Sequence, residues 1–362
     1  MSSEHPGGRR ALVVGTGLIG GSLGLALRSR GWHVTGRDAD PAREKRALEV
    51  GAVDELGEGR DAQLVFVATP VAATAVVVSE VLANAVDPER VVVTDVSGVK
   101  APVVDAVRHP RFVGGHPMAG SEQTGIDGAD PDLFVGATWV LTPTVETDPD
   151  AYAFVASVVA ELGADAVALS PADHDRLVAV VSHVPHLVAA TLMNAAAEGA
   201  KEDGALLRLA AGGFRDMTRV AAGQPSIWPD ICADNAAAIL ISLDRLLEDL
   251  GNLRDKVARA DRAGLLDLLQ RASTARRALP TGATRPDRLA ELRVPVPDRQ
   301  GVLAEFTGLA GDLGINIYDL TIAHSAEGPR GVLTLVVDLD EADRLRKAID
   351  ERGHSCTVID LS

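Results

Sequence analysis

The sequence predicts an α/β chain: a doubly wound parallel sheet, then an all-helical segment, then a small βαββαβ unit. Three observations carry this prediction. Strand-length apolar runs alternate with helical stretches as far as residue 168, long helices follow from Ser170, and beyond a Pro/Gly-rich stretch at 280–286 strand and helix patterns alternate again. The divisions that result are 1–168, 169–284 and 290–362. A chain of 362 residues is long enough for two or three domains, each with its own core.

Ala11-Leu12-Val13-Val14 is the first strand, and it runs into Gly15-Thr16-Gly17-Leu18-Ile19-Gly20 and a helix carrying Leu23, Leu25, Ala26 and Leu27. Glycines at this spacing bring backbone N–H groups and a helix N-terminus against a pyrophosphate: the first allows the turn, the second the close approach, the third the packing of helix on strand. A second apolar stretch, Trp32 to Thr35, ends in Gly36-Arg37-Asp38, and Asp38 lies about 20 residues past the turn, as ribose recognition requires. The context is that of a Rossmann-type dinucleotide-binding domain; a glycine turn without a ligand is the lesser reading. Asp38 accepts hydrogen bonds from ribose hydroxyls and repels a 2'-phosphate, which favours NAD over NADP. Arg37 acts against that preference, since it can stack on adenine or pair with a phosphate.

Asp40-Pro41 starts the second helix as cap and first position, and Gly51 closes it. Leu64 to Ala68 is a buried strand ending in Thr69-Pro70, followed by a helix through Val81 and Leu82; Val91 to Asp95, Phe112 to Gly114 and Thr138 to Leu141 are further strands. Ligands of such a sheet bind at the carboxyl ends of its strands. Three places qualify: Thr69-Pro70, expected at the cofactor; Asp95-Val96-Ser97-Gly98-Val99-Lys100; and Gly115-His116-Pro117-Met118-Ala119-Gly120-Ser121.

Ser170-Pro171-Ala172-Asp173 opens a helix with a cap, a first-position proline and an acid at the third position. It reaches Ser182-His183-Val184-Pro185-His186, where proline must kink or restart it. A further helix gives way at Gly212-Gly213 to Phe214-Arg215-Asp216-Met217-Thr218-Arg219, and after Trp228-Pro229 the residues Ile239, Leu243, Leu246, Leu250, Leu253 and Val257 form a seam spaced by fours and threes. Such a seam packs two helices along their length, within a subunit or between subunits, and a homodimer is the economical expectation. In the last division Leu292 to Val296 is a strand, Asp298 to Gly301 a turn, Val302 to Leu313 a helix, Asn316 to His324 and Val332 to Asp338 strands joined through Gly328-Pro329, and a helix with Leu345 and Ile349 precedes the strand Cys356 to Ile359.

Composition excludes several classes. A net charge of −16 disfavours nucleic acid as a partner, and an anionic substrate must find arginines concentrated locally. No uninterrupted apolar run has membrane-spanning length and the first ten residues lack the apolar core of a signal peptide, so a cytoplasmic protein is expected. Cys232 and Cys356 lie far apart, which argues against a disulfide or a thiolate metal site.

His116, in a glycine- and proline-rich loop at a strand end, can take the proton of a carbinol as hydride leaves for nicotinamide; a loop-stabilising histidine is the alternative. His183 and His186 lack a third ligand at recognisable spacing, so no metal is expected and substrate contact by at least one is favoured over a satisfied helix histidine. Arg215 and Arg219 are either a clamp for a dicarboxylate or an exposed pair bridged to Asp216.

Together the Val13 to Ser22 turn, Gly36-Arg37-Asp38, His116-Pro117-Met118-Ala119-Gly120-Ser121-Glu122, Ser182-His183-Val184-Pro185-His186, Gly213 to Arg219, and Trp228 with Asn235 resemble the prephenate and arogenate dehydrogenase family of tyrosine biosynthesis over nearly the whole chain. The terminal segment resembles an ACT regulatory domain in its Asp298 to Leu303 turn and Gly314-Ile315-Asn316-Ile317. The resemblance implies that His116 accepts the proton of the ring 4-hydroxyl, that Arg219 holds a substrate carboxylate, that His186 contacts or positions substrate, that Arg215 stands where the family often has a basic residue, and that Gly301, Asn316 and Ile317 meet an effector such as tyrosine. One departure matters: the family reads Asp, any residue, a small residue, then Ser-Val-Lys, whereas here Ser97 and Gly98 are exchanged. The serine that would orient the catalytic histidine is either replaced by Ser97 or missing. The implied reaction is NAD-dependent oxidative decarboxylation of prephenate; arogenate or 4-amino-4-deoxyprephenate is the alternative substrate. A hydroxyacid- or imine-reducing dehydrogenase and a non-enzymatic nucleotide sensor are the competing classes.

Overall fold

The computed structural model describes residues 8–120, 123–279, 288–297, 299–324 and 330–361. Ser121, Glu122, the linker at 280–286, Asp298 and the Gly328-Pro329 connection lie outside them. The first part runs β1 (Arg10–Val14), α1 (Leu18–Ser29), β2 (His33–Arg37), α2 (Pro41–Glu49), β3 (Glu55–Leu56), β4 (Leu64–Val67), α3 (Val71–Asn84), β5 (Val92–Asp95), α4 (Ala101–Val107), β6 (Phe112–Pro117), β7 (Thr138–Thr142), α5 (Pro149–Glu161) and β8 (Asp165–Ala168). The sheet order is β3-β2-β1-β4-β5-β6-β7-β8. Successive residues of its strands face opposite sides: Ala11, Val13, Leu64 and Phe66 pack into one core, Leu12, Val14, Val65 and Val67 into the other.

The sheet departs from the expected all-parallel pattern at one place. β6 and β7 pair antiparallel, whereas the pairs from β3 to β6 and the pair β7–β8 are parallel. A parallel neighbour needs a crossover of a dozen or more residues, usually helical. Among the described residues between β6 and β7 the only helical piece is one short turn, Ile126–Gly128, so the chain returns along β6. β3 and β8 went unforeseen because their side chains are exposed and show no apolar alternation.

The helical part comprises α6 (Pro171–Val178), a π-turn (Ala179–His183), α7 (Val184–Glu202), α8 (Gly212–Thr218), α9 (Trp228–Asp234), α10 (Ala236–Ala258) and α11 (Arg262–Arg277). Ser170 caps α6 by accepting from the Asp173 N–H. Pro185, which lacks an N–H, is met by the wider π-turn, so the helix restarts without being broken. The chain divides into two compact units, one of Met1–Met193 with Val220–Leu247, the other of Asn194–Arg219 with Glu248–Ser362. The helical segment is thus shared between the units, because α6 packs on α4 and β7, and α9 on α3.

In the second unit β9 (Leu289–Pro297), α12 (Val302–Asp312), β10 (Asp319–His324), β11 (Arg330–Asp338), α13 (Leu339–Glu351) and β12 (Thr357–Asp360) realise the expected βαββαβ order. The four strands form an antiparallel sheet, β10-β11-β9-β12. Its core, with Leu292, Val294, Phe306, Leu333, Leu335 and Leu345, draws only on residues of this segment.

Candidate active site

The glycine turn has the shape a dinucleotide needs. Gly15 has φ +93°, and a side chain there would run into the Ala68 carbonyl; a Cβ on Gly20 would overlap the Gly15 carbonyl oxygen. Gly17 faces open space, and α1 begins there with no side-chain cap and no acid in its first turn, leaving its N–H groups and positive end free for phosphate. Leu18 and Ile19 form the first turn of that helix, and Ile19 packs into the core below. The Thr69 backbone and Pro70, which starts α3, flank the turn at the end of β4.

Asp38 is held at the edge of the turn: its carboxylate accepts from the Thr16 N–H at 2.7 Å, the Thr16 hydroxyl at 3.2 Å and the Asp40 N–H at 2.9 Å. A fixed negative charge therefore stands where a 2'-phosphate would go. Arg37, the residue that opposed this preference, is occupied by Glu58 at 2.7 Å and Glu80 at 3.0 Å. The residues present fit NAD.

Two strands along from the turn, the β5–α4 loop and β6 are fastened together around a buried charge pair. The Lys100 ammonium pairs with Asp95 and donates to the Gly115 carbonyl at 2.7 Å and the Ser97 hydroxyl at 2.9 Å, with Asp95 and Lys100 both 0% exposed. Asp95 also accepts from the Gly115 and Ser97 N–H groups, each at 3.0 Å. Burial pulls the Lys100 pKa down and Asp95 opposes it. This corrects the expectation for Ser97. Its hydroxyl donates to Asp95 and the Val99 carbonyl and accepts from Lys100, so it belongs to the fastening and not to His116. The position beside the His116 ring is Gly98: a Cβ there would lie 3.8 Å from His116 Nε2.

His116, half-buried near the end of β6, is held from its other nitrogen. Its Nδ1 lies 2.8 Å from Nε2 of His174, whose Nδ1 lies 2.8 Å from Asp175. Asp175 in turn accepts from the backbone N–H of Lys100 at 2.7 Å and of Ala101 at 2.8 Å. It thereby caps α4, which has no cap of its own, and its charge is satisfied although the residue is 6% exposed. Burial first, then His174, Lys100 and His183, hold the His116 pKa well below the ordinary imidazole value of 6.5.

His183 is 2% exposed, with Nδ1 at 3.2 Å from the Asn235 amide, which also donates to the Asp175 carbonyl at 2.8 Å. Burial pushes its pKa down to about 4. It is a buried wall residue, not the substrate contact expected, because Asn235 and Trp228 cover it. His186 stacks on Trp228, with ring centroids 3.6 Å apart, and stays half-buried. Arg215 and Arg219 belong to the other unit, on α8 and at its end; both are exposed, and Arg215 donates to the Ala210 carbonyl at 3.1 Å. Among the described residues no cluster of His, Cys, Asp and Glu could hold a metal.

His174 and Asp175 escaped the sequence reading. Their signal was present: an adjacent His-Asp pair in the first turns of an apolar helix, where a polar dipeptide at buried positions has to be paired with something.

A glycine cradle and fixed acid for a dinucleotide, with a neutral histidine at a neighbouring strand end, define an NAD-dependent oxidoreductase. Residues 23–168 match the model of the prephenate dehydrogenase nucleotide-binding domain and residues 170–271 that of the prephenate dehydrogenase dimerization domain. The chain is 34% identical over 350 residues to the prephenate dehydrogenase of Bacillus subtilis (strain 168), covering 92% of this chain and 93% of that one. It belongs to the prephenate dehydrogenase family. Among solved structures it resembles the arogenate dehydrogenase of Synechocystis (36% identity, TM-score 0.64, 74% of this chain and 98% of that one) and the A. aeolicus prephenate dehydrogenase in complex with hydroxyphenyl propionate and NAD+ (29%, TM-score 0.70, 74% and 97%). The non-enzymatic sensor reading falls.

Proposed function

We propose that the chain catalyses oxidative decarboxylation of prephenate to 4-hydroxyphenylpyruvate, with His116 as the group that takes the 4-hydroxyl proton. The observation that carries this reading is the ring itself: neutral at working pH, tied at Nδ1, with Nε2 next to Gly98, which puts no side chain against it. NAD, held by Gly15, Gly17, Leu18, Ile19, Gly20, Asp38, Thr69 and Pro70, supplies the hydride acceptor. His116 removes the hydroxyl proton as the C4–H bond gives up hydride and the carbonyl forms. The bond from ring C1 to its carboxylate then breaks, CO2 leaves, and its electron pair aromatises the ring onto the C4 oxygen. That oxygen recovers the proton from His116, so no net proton is released.

Arg219, with Arg215, supplies the cationic partner for substrate carboxylates that so acidic a chain must provide locally. His186, presented edge-on by its stack on Trp228, is a further substrate or positioning contact. The assembly is a homodimer: α10 and α11 expose Leu240, Ile241, Leu247, Leu266 and Leu269 within the stretch that matches a dimerization domain. The apolar helical run Pro171–Glu202, long enough by composition to cross a bilayer, is read as part of this same helical core, because it buries His174, Asp175 and His183. The enzyme works in the cytoplasm as three domains, 1–168, 169–284 and 290–362. The last is an ACT domain that binds tyrosine near Gly301, Asn316 and Ile317. Asn316 lines a cavity of about 300 Å³ with Gly314, Tyr318, Asp338 and Glu341, and Ile317 packs into the core beneath.

The test is NADH or NADPH formation from prephenate, arogenate and 4-amino-4-deoxyprephenate, each with NAD and NADP. Prephenate with NAD should give the highest kcat/KM. A preference for either amino substrate overturns the substrate assignment, and equal use of NADP overturns the role given to Asp38.

A further inference from the structure

We propose that His174, anchored by Asp175, is the positioning residue that fixes the orientation and tautomer of His116, in the place of any side chain from the β5–α4 loop. The loop has no candidate. Gly98 has no side chain, and the Ser97 hydroxyl is spent on Asp95, Val99 and Lys100. What does reach the ring is His174, 0% exposed, at 2.8 Å from Nδ1.

With His174 uncharged, the chain of contacts assigns every proton. Asp175, which already accepts from two backbone N–H groups, can only accept from His174 as well, so His174 Nδ1 carries a hydrogen. A neutral His174 then offers Nε2 as an acceptor, and His116 Nδ1 must be the donor to it. Nε2 of His116 is left as a bare lone pair beside Gly98. A second anchor makes the arrangement rigid: Asn235 donates to the Asp175 carbonyl, and Asp175 is bonded to the start of α4. The reverse tautomer, with hydrogen on Nε2, would place two acceptors face to face at His116 Nδ1 and His174 Nε2, a buried clash of lone pairs.

The inference rests on reading His116 as the proton acceptor, and its test separates the two. Nitrogen NMR of the ring-labelled enzyme without substrate reads the tautomer directly, whatever the enzyme oxidises. The unmodified protein at pH 7.5 should show His116 as neutral with hydrogen on Nδ1; hydrogen on Nε2 overturns the proposal. His174→Leu removes the acceptor. If it folds, it should lose that tautomer signal and lower kcat by about tenfold or more, within the about 10²- to 10⁴-fold that a general base provides, with KM for NAD unchanged. His174→Gln keeps an acceptor oxygen and should retain both the tautomer and most of kcat. A folded His174→Leu enzyme with unaltered tautomer and turnover overturns the proposal. If that variant does not fold, the tautomer read in the unmodified protein decides.

Discussion

At the scale of single residues the site works by removing options from His116. A histidine that must accept a proton has to be neutral and has to present the right nitrogen, and burial secures the first condition. Protonation would inactivate the proposed base, and because the His116 pKa lies below 6.5 the loss occurs only as pH falls past that value. The acid limb of kcat/KM should therefore lie below pH 6.5 in a pH–rate profile, and a limb at or above 6.5 would contradict the burial described. His116→Asn should lower kcat by about 10²- to 10⁴-fold with little change in NAD affinity; normal turnover by this variant would remove it from the reaction. His116 and Asp38 were legible in the sequence because their spacing to a glycine turn and a strand end is local. His174 was not, since its meaning comes from a residue 58 positions away in the chain. For Ser97 the sequence leaves two alternatives, and the choice needs the fold, because only there do the neighbouring Asp95 and Lys100 side chains turn to claim its hydroxyl.

At the scale of elements the nucleotide site is a contact between backbones, and such contacts tolerate no added atoms. Gly20→Ala would press a methyl group onto the Gly15 carbonyl and push α1 away from β1. Titration calorimetry should then show NAD affinity weakened by about tenfold or more, about 1.4 kcal/mol, and an unchanged Kd would show that the turn gives way freely. The parallel pairing of β1, β2, β4, β5 and β6 followed from the alternation of apolar strands with helices. The reversal at β7 did not, because it is set by what the described residues of the 118–137 segment lack, namely a crossover helix. The start of α6 was legible from its Ser-Pro-x-Asp cap, whereas the π-turn was visible only as a proline that had to be accommodated.

For the whole molecule the decisive point is that the C-terminal sheet has a core of its own. Removal of the chain after Thr284 takes away that core intact and leaves the two cores of the nucleotide sheet untouched. The truncated enzyme should keep turnover within about tenfold, a barrier change of about 1.4 kcal/mol, and lose any inhibition by tyrosine. Steady-state rates with and without tyrosine decide it. A folded but inactive truncation, or one still inhibited like the full chain, would falsify the regulatory role. Coupling of this kind requires tyrosine to favour one of two states of the enzyme, which the dimer would transmit.

The π-turn has a bearing on evolution by insertion and deletion. His174 and His183 are nine positions apart, and on an unbroken α-helix, at about 100° per residue, they would point to opposite sides. The wide turn at Ala179–His183 takes up one surplus residue and rotates the remainder of the helix by about 100°. That rotation is what lets a single amide, Asn235, grip both the carbonyl of Asp175 and the ring of His183. Phase along this helix is thus stored in residue count. Val180 and Val181, 56% and 66% exposed, lie on this turn, and a residue added or removed between Val178 and Val184 would rotate His183 away from Asn235.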